Sequence, residues 1–479
     1  MGPPLVSSRV FRTVRLRLPG QLTGMDGMYD VVVLGLGPGG EDVAGRLAEA
    51  GLSVAGVEAG LIGGECAYWG CVPSKMMVRA AGLLAEARRV PGMAGSVRVS
   101  PKWAPVIDRI SGEATDGFSD DARAEHFESA GVHLVRGRGR ITGPREVTVD
   151  GRVLRARRGI VLATGTDPAV PPIDGLEDTP YWTNRDAVVA RHMPESLIVL
   201  GGGAIGCELA QVFARFGTRV TVVEAADRLL AREEPEAGVL LARVFAGEGL
   251  ETHTGVAAER VRHDEGGFTL TLEDGRTLRA VRLLVATGRR TDLAAIGAGD
   301  AGLDESARFV TVDGRMRAAD GVWAVGDVTG RGAYTHVAVY QGRIAARDIL
   351  GEGGPPADYR AVPRVTFTDP EVASVGLTER KAREAGLDVR VGFASVGESA
   401  RGWIHGAGHE GFVKLVEDAR RGVLVGATSA GPAGGEVLGA LVVAVQNEIP
   451  TTRLRHMMYA YPTFHRAIED ALETLDGQT

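Results

Sequence analysis

Two of the chain's three cysteines stand five residues apart in Gly63-Gly64-Glu65-Cys66-Ala67-Tyr68-Trp69-Gly70-Cys71-Val72-Pro73-Ser74-Lys75. Two thiols that can meet exchange two electrons by closing and opening a disulfide. On a regular helix, residues i and i+5 point about 140° apart, since each step turns about 100°. The pair can bridge only where the helix is irregular, and Gly70 and Pro73 supply such a place. A cysteine at a helix N-terminus also has its thiolate favoured by the helix dipole, which raises reactivity. In isolation, a C-x4-C spacing is as well explained by structure or accident. Cys207, the third cysteine, follows Gly206 on a helical stretch and reads as a small buried apolar residue.

The elements around the thiols decide between these readings. Ahead of them, Val31-Val32-Val33-Leu34 is a continuous apolar run suited to a buried parallel strand. It leads into Gly35-Leu36-Gly37-Pro38-Gly39-Gly40, an amphipathic stretch from Glu41 to Ala50, and a short strand ending at Glu58. Gly35, Gly37 and Gly40 let the backbone approach a pyrophosphate at a helix N-terminus, while Glu58 can bind ribose hydroxyls. The pattern recurs in Leu197–Leu200, then Gly201-Gly202-Gly203-Ala204-Ile205-Gly206, a helix, and Val220 to Glu224. Glu58 and Glu224 each stand 23 residues after the first glycine of their unit. One GxGxxG is a weak signal; two with equal spacing in strand–turn–helix settings point to two bound dinucleotides. A carboxylate at Glu224 bonds a free 2′-hydroxyl and repels a 2′-phosphate, which favours NAD over NADP. Arg228 and Arg232 lie close enough in sequence to soften that preference.

Behind such a fingerprint, and followed by Pro-Ser-Lys, the thiol pair reads as redox-active. Further motifs stand in order: Ala163-Thr164-Gly165, Ala286-Thr287-Gly288, Ala324-Val325-Gly326-Asp327 and Tyr334-Thr335-His336-Val337-Ala338. From about Tyr29 to Leu475 the chain resembles the class I pyridine nucleotide-disulfide oxidoreductases, the family of dihydrolipoamide dehydrogenase, glutathione reductase and mercuric reductase.

The resemblance implies an α/β fold with two Rossmann-like dinucleotide-binding domains, for FAD and NAD(P), and a C-terminal α+β dimerisation domain. The FAD domain would comprise residues 28–174 and 297–356, the NAD(P) domain 175–296 and the interface domain 357–479 of a homodimer. Gly351-Glu352-Gly353-Gly354-Pro355-Pro356 is independently a linker-like break. After it, strand patterns at 364–367, 412–416 and 423–428 alternate with an apolar helix around 435–447.

The resemblance further implies that FAD is held by Gly35, Gly37, Gly40, Glu58, Gly64, Thr164, Gly165, Gly326, Asp327 and Thr335. Asp327 would bind its ribityl and phosphate region, and Thr335 would lie by its pyrimidine ring. NAD, with NADP as an alternative, would be held by Gly201, Gly203, Gly206, Glu224 and Gly288. Cys66 and Cys71 would form the redox disulfide, Cys71 as the charge-transfer thiolate nearer the flavin and Cys66 as the interchange thiol meeting the substrate. Lys75 would pair with Glu208 beside flavin N5 and the nicotinamide.

The chain departs from the family near its C-terminus. Thiol-substrate members carry His-Pro-Thr-x-x-Glu, whose histidine moves the substrate's proton and whose glutamate orients it. Here the chain reads Tyr461-Pro462-Thr463-Phe464-His465-Arg466. A histidine titrates near 6.5 and shuttles protons at neutral pH, whereas a phenol near 10 donates but rarely accepts. Tyr461 is then a candidate hydrogen-bond donor and His465 a candidate substitute base; His405, His409 and His456 read as surface or packing residues. Tyr68-Trp69 replaces smaller residues between the cysteines, which suits a bulky or planar acceptor or simply fills a crevice.

The expected activity is electron transfer between NAD(P)H and a disulfide or dithiol through FAD and Cys66–Cys71. Alternatives are a non-thiol acceptor such as a quinone or metal ion, oxidation of a specialised small metabolite, and a non-catalytic flavin redox sensor. Mercury detoxification is not expected, since neither the extra C-terminal cysteine pair nor the N-terminal CxxC of mercuric reductase is in this sequence.

Bulk properties agree. At 479 residues two to four domains are expected, and 44% hydrophobic with 24% charged residues is ordinary for a globular protein. A net charge of −7 argues against a nucleic-acid partner, and no apolar run approaches the roughly 18 residues of a membrane span. Three cysteines make neither a secreted-type framework nor a structural zinc site, so a small-molecule enzyme of the reducing cytoplasm without a metal is expected. Residues 1–27 carry Arg9, Arg12, Arg15 and Arg17 without the apolar core of a signal peptide, and read as a disordered extension or an early start site.

Overall fold

The structure is a computed structural model that describes residues 27–476. The expected extension lies outside the described residues but for Gly27. The chain divides into two units. The first comprises the chain through Pro73, Ile107–Asp167 and Arg289–Asp358; the second comprises Ser74–Val106, Pro168–Gly288 and Tyr359 onward.

In the first unit the apolar run becomes β1 (Met28–Leu34), with Val31, Val32 and Val33 wholly buried. It pairs in parallel with β2 (Val54–Glu58) on one side and Arg152–Leu162 on the other, bringing Val31 opposite Val54 and Val32 opposite Ile160. The sheet order is Arg317–Ala319, Val322–Ala324, Arg152–Leu162, β1, β2, Val132–Arg136. At the centre of such a sheet both faces are covered, which is why residues 31–34 and 54–57 are continuous apolar runs rather than alternating.

Helix α1 (Pro38–Glu49) crosses between β1 and β2, with Val43, Ala44 and Leu47 turned to the core. Pro38 is tolerated in its first turn because its missing N–H has no helical partner to lose. Helices α2 (Gly64–Tyr68) and α3 (Cys71–Arg89) follow β2. A further helix, Thr335–Leu350, packs on α1 and stops at Gly351, whose φ of 77° only glycine adopts readily. Gly351 opens the linker-like break read from the sequence.

The second unit repeats the arrangement. Ser196–Leu200, then α4 (Ala204–Arg215) and Arg219–Glu224 stand in a parallel sheet of order Glu251–Thr254, Arg219–Glu224, Ser196–Leu200, Arg282–Val285. An antiparallel meander, Ala258–Asp264, Gly267–Leu272 and Thr277–Ala280, is inserted before its last strand. The C-terminal part is a five-stranded antiparallel sheet of order Pro363–Thr366, Glu371–Gly376, Val423–Gly431, Phe412–Asp418, Val389–Ser395. Val413, Leu415, Leu438, Leu441, Ile468 and Leu472 form the core between this sheet and helices Gly434–Gln446 and Ala467–Glu473. The sequence reading located three of the five strands and the apolar helix, and missed Glu371–Gly376 and Val389–Ser395. The class is α/β, with two Rossmann-like folds and a C-terminal α+β domain.

Candidate active site

Helix α2 ends at Tyr68, Trp69 leaves helical geometry at φ −126°, and α3 begins at Cys71. The break removes the angular separation that a continuous helix would impose, and the two thiols hydrogen-bond to each other as free cysteines. That bond, and then burial, push the Cys66 thiol well above its ordinary range, against a smaller opposing effect of Thr335. Cys71 is exposed, and its Sγ lies 3.4 Å from Oγ1 of Thr335 at the start of the helix Thr335–Leu350. Two segments 264 residues apart thus meet at the thiols. Cys207 is fully buried, its thiol donating to the Gly202 carbonyl at 3.2 Å.

The thiol segment is braced by residues that no motif signalled. The Ile62 N–H donates to Asp120 at 2.6 Å, and Arg136 grips both oxygens of Asp120 at 2.7 and 2.8 Å. The Tyr68 hydroxyl donates to the Ser119 carbonyl at 3.0 Å. Trp69 stacks on Phe118, ring centroids 5.0 Å apart and planes 21° from parallel. Asp116, Gly117 and Phe118 all have positive φ (47°, 66° and 62°), which costs energy at the two non-glycine positions. Arg123 donates to Glu41 at 3.1 Å. Burial pushes the Glu41 carboxyl up to about 7, with Arg123 opposing.

Both glycine fingerprints have the shape of dinucleotide cradles. A Cβ on Gly40 would lie 2.0 Å from the Gly35 carbonyl oxygen, and one on Gly206 would lie 1.9 Å from that of Gly201. Gly37 and Gly203 face open space, and a Cβ on Gly64 would come within 3.1 Å of the Gly37 Cα. Side chains are thus excluded where helix meets strand, with room left above the helix N-terminus where a pyrophosphate belongs. Both acids are aimed alike. Glu58 accepts from the N–H groups of Leu36 and Gly60, each at 2.7 Å; Glu224 accepts from those of Gly202 and Ala226 at 2.6 and 2.7 Å.

Thr164 and Gly165 follow the strand Arg152–Leu162, and Gly165 (φ 67°) turns the chain. Nearby, Thr166 donates to Asp327 at 3.1 Å, and the Arg289 Nε donates to Thr166 Oγ1 at 2.7 Å. Burial raises the Asp327 carboxyl, against the pull of Arg289. The Gly326 N–H donates to Gln341 at 2.6 Å. Gly288 has a φ of 134° and ends the second fold. These residues fit a dinucleotide in each unit.

In the second unit Lys75 and Glu208 meet, Nζ to Oε2 at 2.6 Å. Glu208 is buried, and its Oε1 accepts the Phe367 N–H at 2.8 Å. The Lys75 ammonium also lies 4.8 Å from the Phe367 ring centroid. Phe367 was read only as the end of a strand.

Residues 29–342 match the family model described as pyridine nucleotide-disulphide oxidoreductase, and residues 362–472 match its dimerisation domain. The chain belongs to the pyridine nucleotide-disulphide oxidoreductases. It is 35% identical over 455 residues to a dihydrolipoyl dehydrogenase of Chlorobaculum tepidum, covering 92% of this chain and 96% of that protein. It is also 35% identical over 462 residues to a mercuric reductase of Streptomyces lividans, covering 93% and 96%. Among solved structures, LpdA from Mycobacterium tuberculosis aligns with a TM-score of 0.82 and 29% identity, over 93% of this chain and 99% of that one. The HOCl-induced flavoprotein disulfide reductase RclA from Escherichia coli aligns with a TM-score of 0.80 and 27% identity, over 94% and 100%. Enzymes of the family use FAD and NAD(P)H, and so does this one.

In this oxidoreductase the C-terminal Tyr461 is 70% exposed. Arg466 lies over its ring and pairs with Glu469 at 2.8 Å. His465 packs instead on Tyr459, ring centroids 6.1 Å apart, and His405 packs edge-on against Phe464. His409 places Nδ1 2.9 Å from the Gly402 carbonyl oxygen, and His456 caps the short helix Thr451–Arg455. Trp403 and Met458 are 79% and 100% exposed in the domain whose family name is dimerisation. Among the described residues, no helix is long and apolar enough to cross a membrane.

Proposed function

We propose that this enzyme passes two electrons from NAD(P)H, by way of FAD and the Cys66–Cys71 pair, to a small disulfide substrate, in a cytoplasmic homodimer. The meeting of the two thiols at a helix break, with Cys71 against Thr335, carries the reading. FAD would supply hydride acceptance from the nicotinamide and electron delivery to sulfur. The protein supplies placement and proton control.

Cys71 is the thiol on the flavin side. Cys66 is the thiol that attacks substrate, its proton passing to the first substrate sulfur released. The attack breaks the substrate S–S bond and forms a mixed disulfide; Cys71 then closes the Cys66–Cys71 disulfide and releases the second substrate sulfur. Lys75 and Glu208 form the ion pair on the flavin side. Tyr461 donates a hydrogen bond at the substrate, and His465, turned onto Tyr459, is the weaker candidate. The domain division is that read from the sequence, 28–174 with 297–356 for FAD, 175–296 for NAD(P) and 357–479 for the interface.

Anaerobic titration with NADH and then NADPH tests the relay. A long-wavelength thiolate–flavin band is expected, strongest with NADH, and its absence with both nucleotides overturns the relay. Cys66→Ser should keep reduction by NADH and lose disulfide turnover.

A second reading, a planar non-thiol acceptor, is favoured by one observation. Trp69 stands three residues after Cys66, at the helix break, and is stacked against Phe118. Trp69→Ala should then raise KM for a para-quinone while leaving flavin reduction by NADH unchanged, and an unchanged KM would remove this reading.

A further inference from the structure

Glu208, Gln211 and Arg215 lie along one face of α4, at i, i+3 and i+7, and all three are buried. Each grips the same short stretch, 367–369. Glu208 takes the Phe367 N–H at 2.8 Å. Gln211 both accepts from the Asp369 N–H and donates to its carbonyl, each at 2.8 Å. Arg215 donates to the Asp369 carboxylate at 2.8 Å, and Arg89 reaches the same oxygen at 2.8 Å. Arg215 is itself held by Glu248 at 2.5 and 3.0 Å. The buried Arg215 is thus shared between Glu248 and Asp369, and the stretch is fixed at both ends.

The consequence falls on Lys75. A lysine side chain is a compact charge on a flexible stem, and a pair it makes near solvent is loosely held. Here Phe367 acts on the pair twice. Its N–H occupies Oε1 of Glu208 and leaves Oε2 for the ammonium. Its ring lies 4.8 Å below that ammonium, inside the range of a cation–π contact. The ring is only half-buried, so packing alone gives it little to do.

We propose that Phe367 is the positioning residue of the Lys75–Glu208 pair, setting where the cation stands, and that the 208/211/215 face of α4 holds Phe367 in register. The assignment rests on Lys75–Glu208 being the flavin-side pair. It makes the segment that opens the C-terminal sheet a determinant of flavin reactivity, in addition to any part in dimerisation.

The test uses the FAD-loaded enzyme with Phe367→Leu and Phe367→Met, which remove the ring and keep the N–H, Phe367→Tyr, which keeps both, and Lys75→Met. The readouts are the NADH-induced long-wavelength band, the flavin midpoint potential and the stopped-flow rate of flavin reduction. Loss of a cation–π contact predicts a roughly 2- to 30-fold slower reduction in the Leu and Met variants. A weakened band and a lowered potential should accompany it, with FAD content retained and all readouts recovered in Phe367→Tyr. If both ring-less variants match the wild type while Lys75→Met is impaired, the role of Phe367 is refuted and the pair's role stands. If Lys75→Met itself leaves band, potential and rate unchanged, the flavin-side assignment fails and this proposal with it.

Discussion

The Arg466 guanidinium lies over the ring of Tyr461, 5.7 Å from its centroid. On the family resemblance read from the sequence, Tyr461 and Arg466 would take the places of an acid–base dyad, with a cation over a phenol where a carboxylate would orient an imidazole. Glu469 holds the arginine from the other side, so the pair is built rather than left over. A phenol donates at neutral pH but does not collect the proton of a thiol. Exchange with dihydrolipoamide should therefore be slow in the wild type. Tyr461→His with Arg466→Glu should raise it at least tenfold, the lower range of general acid–base effects being about 100-fold. A new kinetic limb near pH 6.5 should accompany the gain. A double variant as slow as the wild type at every pH would show that the C-terminal motif does not set specificity.

The two cradles give a prediction that separates the cofactors. Gly40→Ala must displace the Gly35 carbonyl, and Gly206→Ala that of Gly201, because the added carbon would lie 2.0 or 1.9 Å away. Overpacking of this kind costs about 1–3 kcal/mol, a factor of roughly 5 to 150. Gly206→Ala should raise the KM for NADH by that factor while the protein still elutes with FAD. Gly40→Ala should instead lose FAD on gel filtration, read from the ratio of flavin to protein absorbance.

The glycine cradles and the thiols were legible because each chemistry demands particular residue types at short, fixed spacings; the Lys75–Glu208 pair, 133 residues apart, followed only from the family resemblance. Phe367, Asp120, Phe118 and Arg123 were not. Phe367 works through its backbone N–H and the face of its ring, and neither leaves a sequence spacing. Asp120 reads as a loop carboxylate until the fold brings it to the Ile62 N–H, 58 residues away. Strands Glu371–Gly376 and Val389–Ser395 escaped for a different reason. The first mixes Glu, Ala, Ser and Gly with two valines, and the second is an edge strand with an exposed Phe393, so neither shows a clean apolar pattern.

Glu41 should make stability depend on pH in the direction opposite to most carboxylates. Its carboxyl is raised by burial from 4.5 to about 7. Between those values the folded state binds more protons than the unfolded state, so stability falls as pH rises through the window and is flat above it. The full penalty is on the order of 3 kcal/mol, at about 1.4 kcal/mol for each pKa unit. Glu41→Gln should therefore melt higher than the wild type at pH 8 and show little difference at pH 4.5. Equal melting temperatures at both pH values would contradict the burial argument.

Lys414 is the clearest case of a charge whose removal should unfold the protein. Its ammonium is buried and meets Glu234 at 3.0 Å, Glu236 at 2.7 Å and Glu379 at 3.0 Å. These three contacts hold it charged well above its ordinary range despite burial. Glu234 is itself only 2% exposed. Lys414→Met leaves three carboxylates facing one another around an apolar side chain, which should cost about 3–5 kcal/mol. The urea midpoint should fall accordingly. Adding Glu234→Gln removes the most deeply buried of the stranded charges and should restore part of the loss. Acid should do the same without a second mutation, because protonation removes charge from stranded carboxylates. The difference between variant and wild type should therefore shrink on acidification. If it grows instead, the cost of Lys414→Met lies in packing and not in unpaired charge.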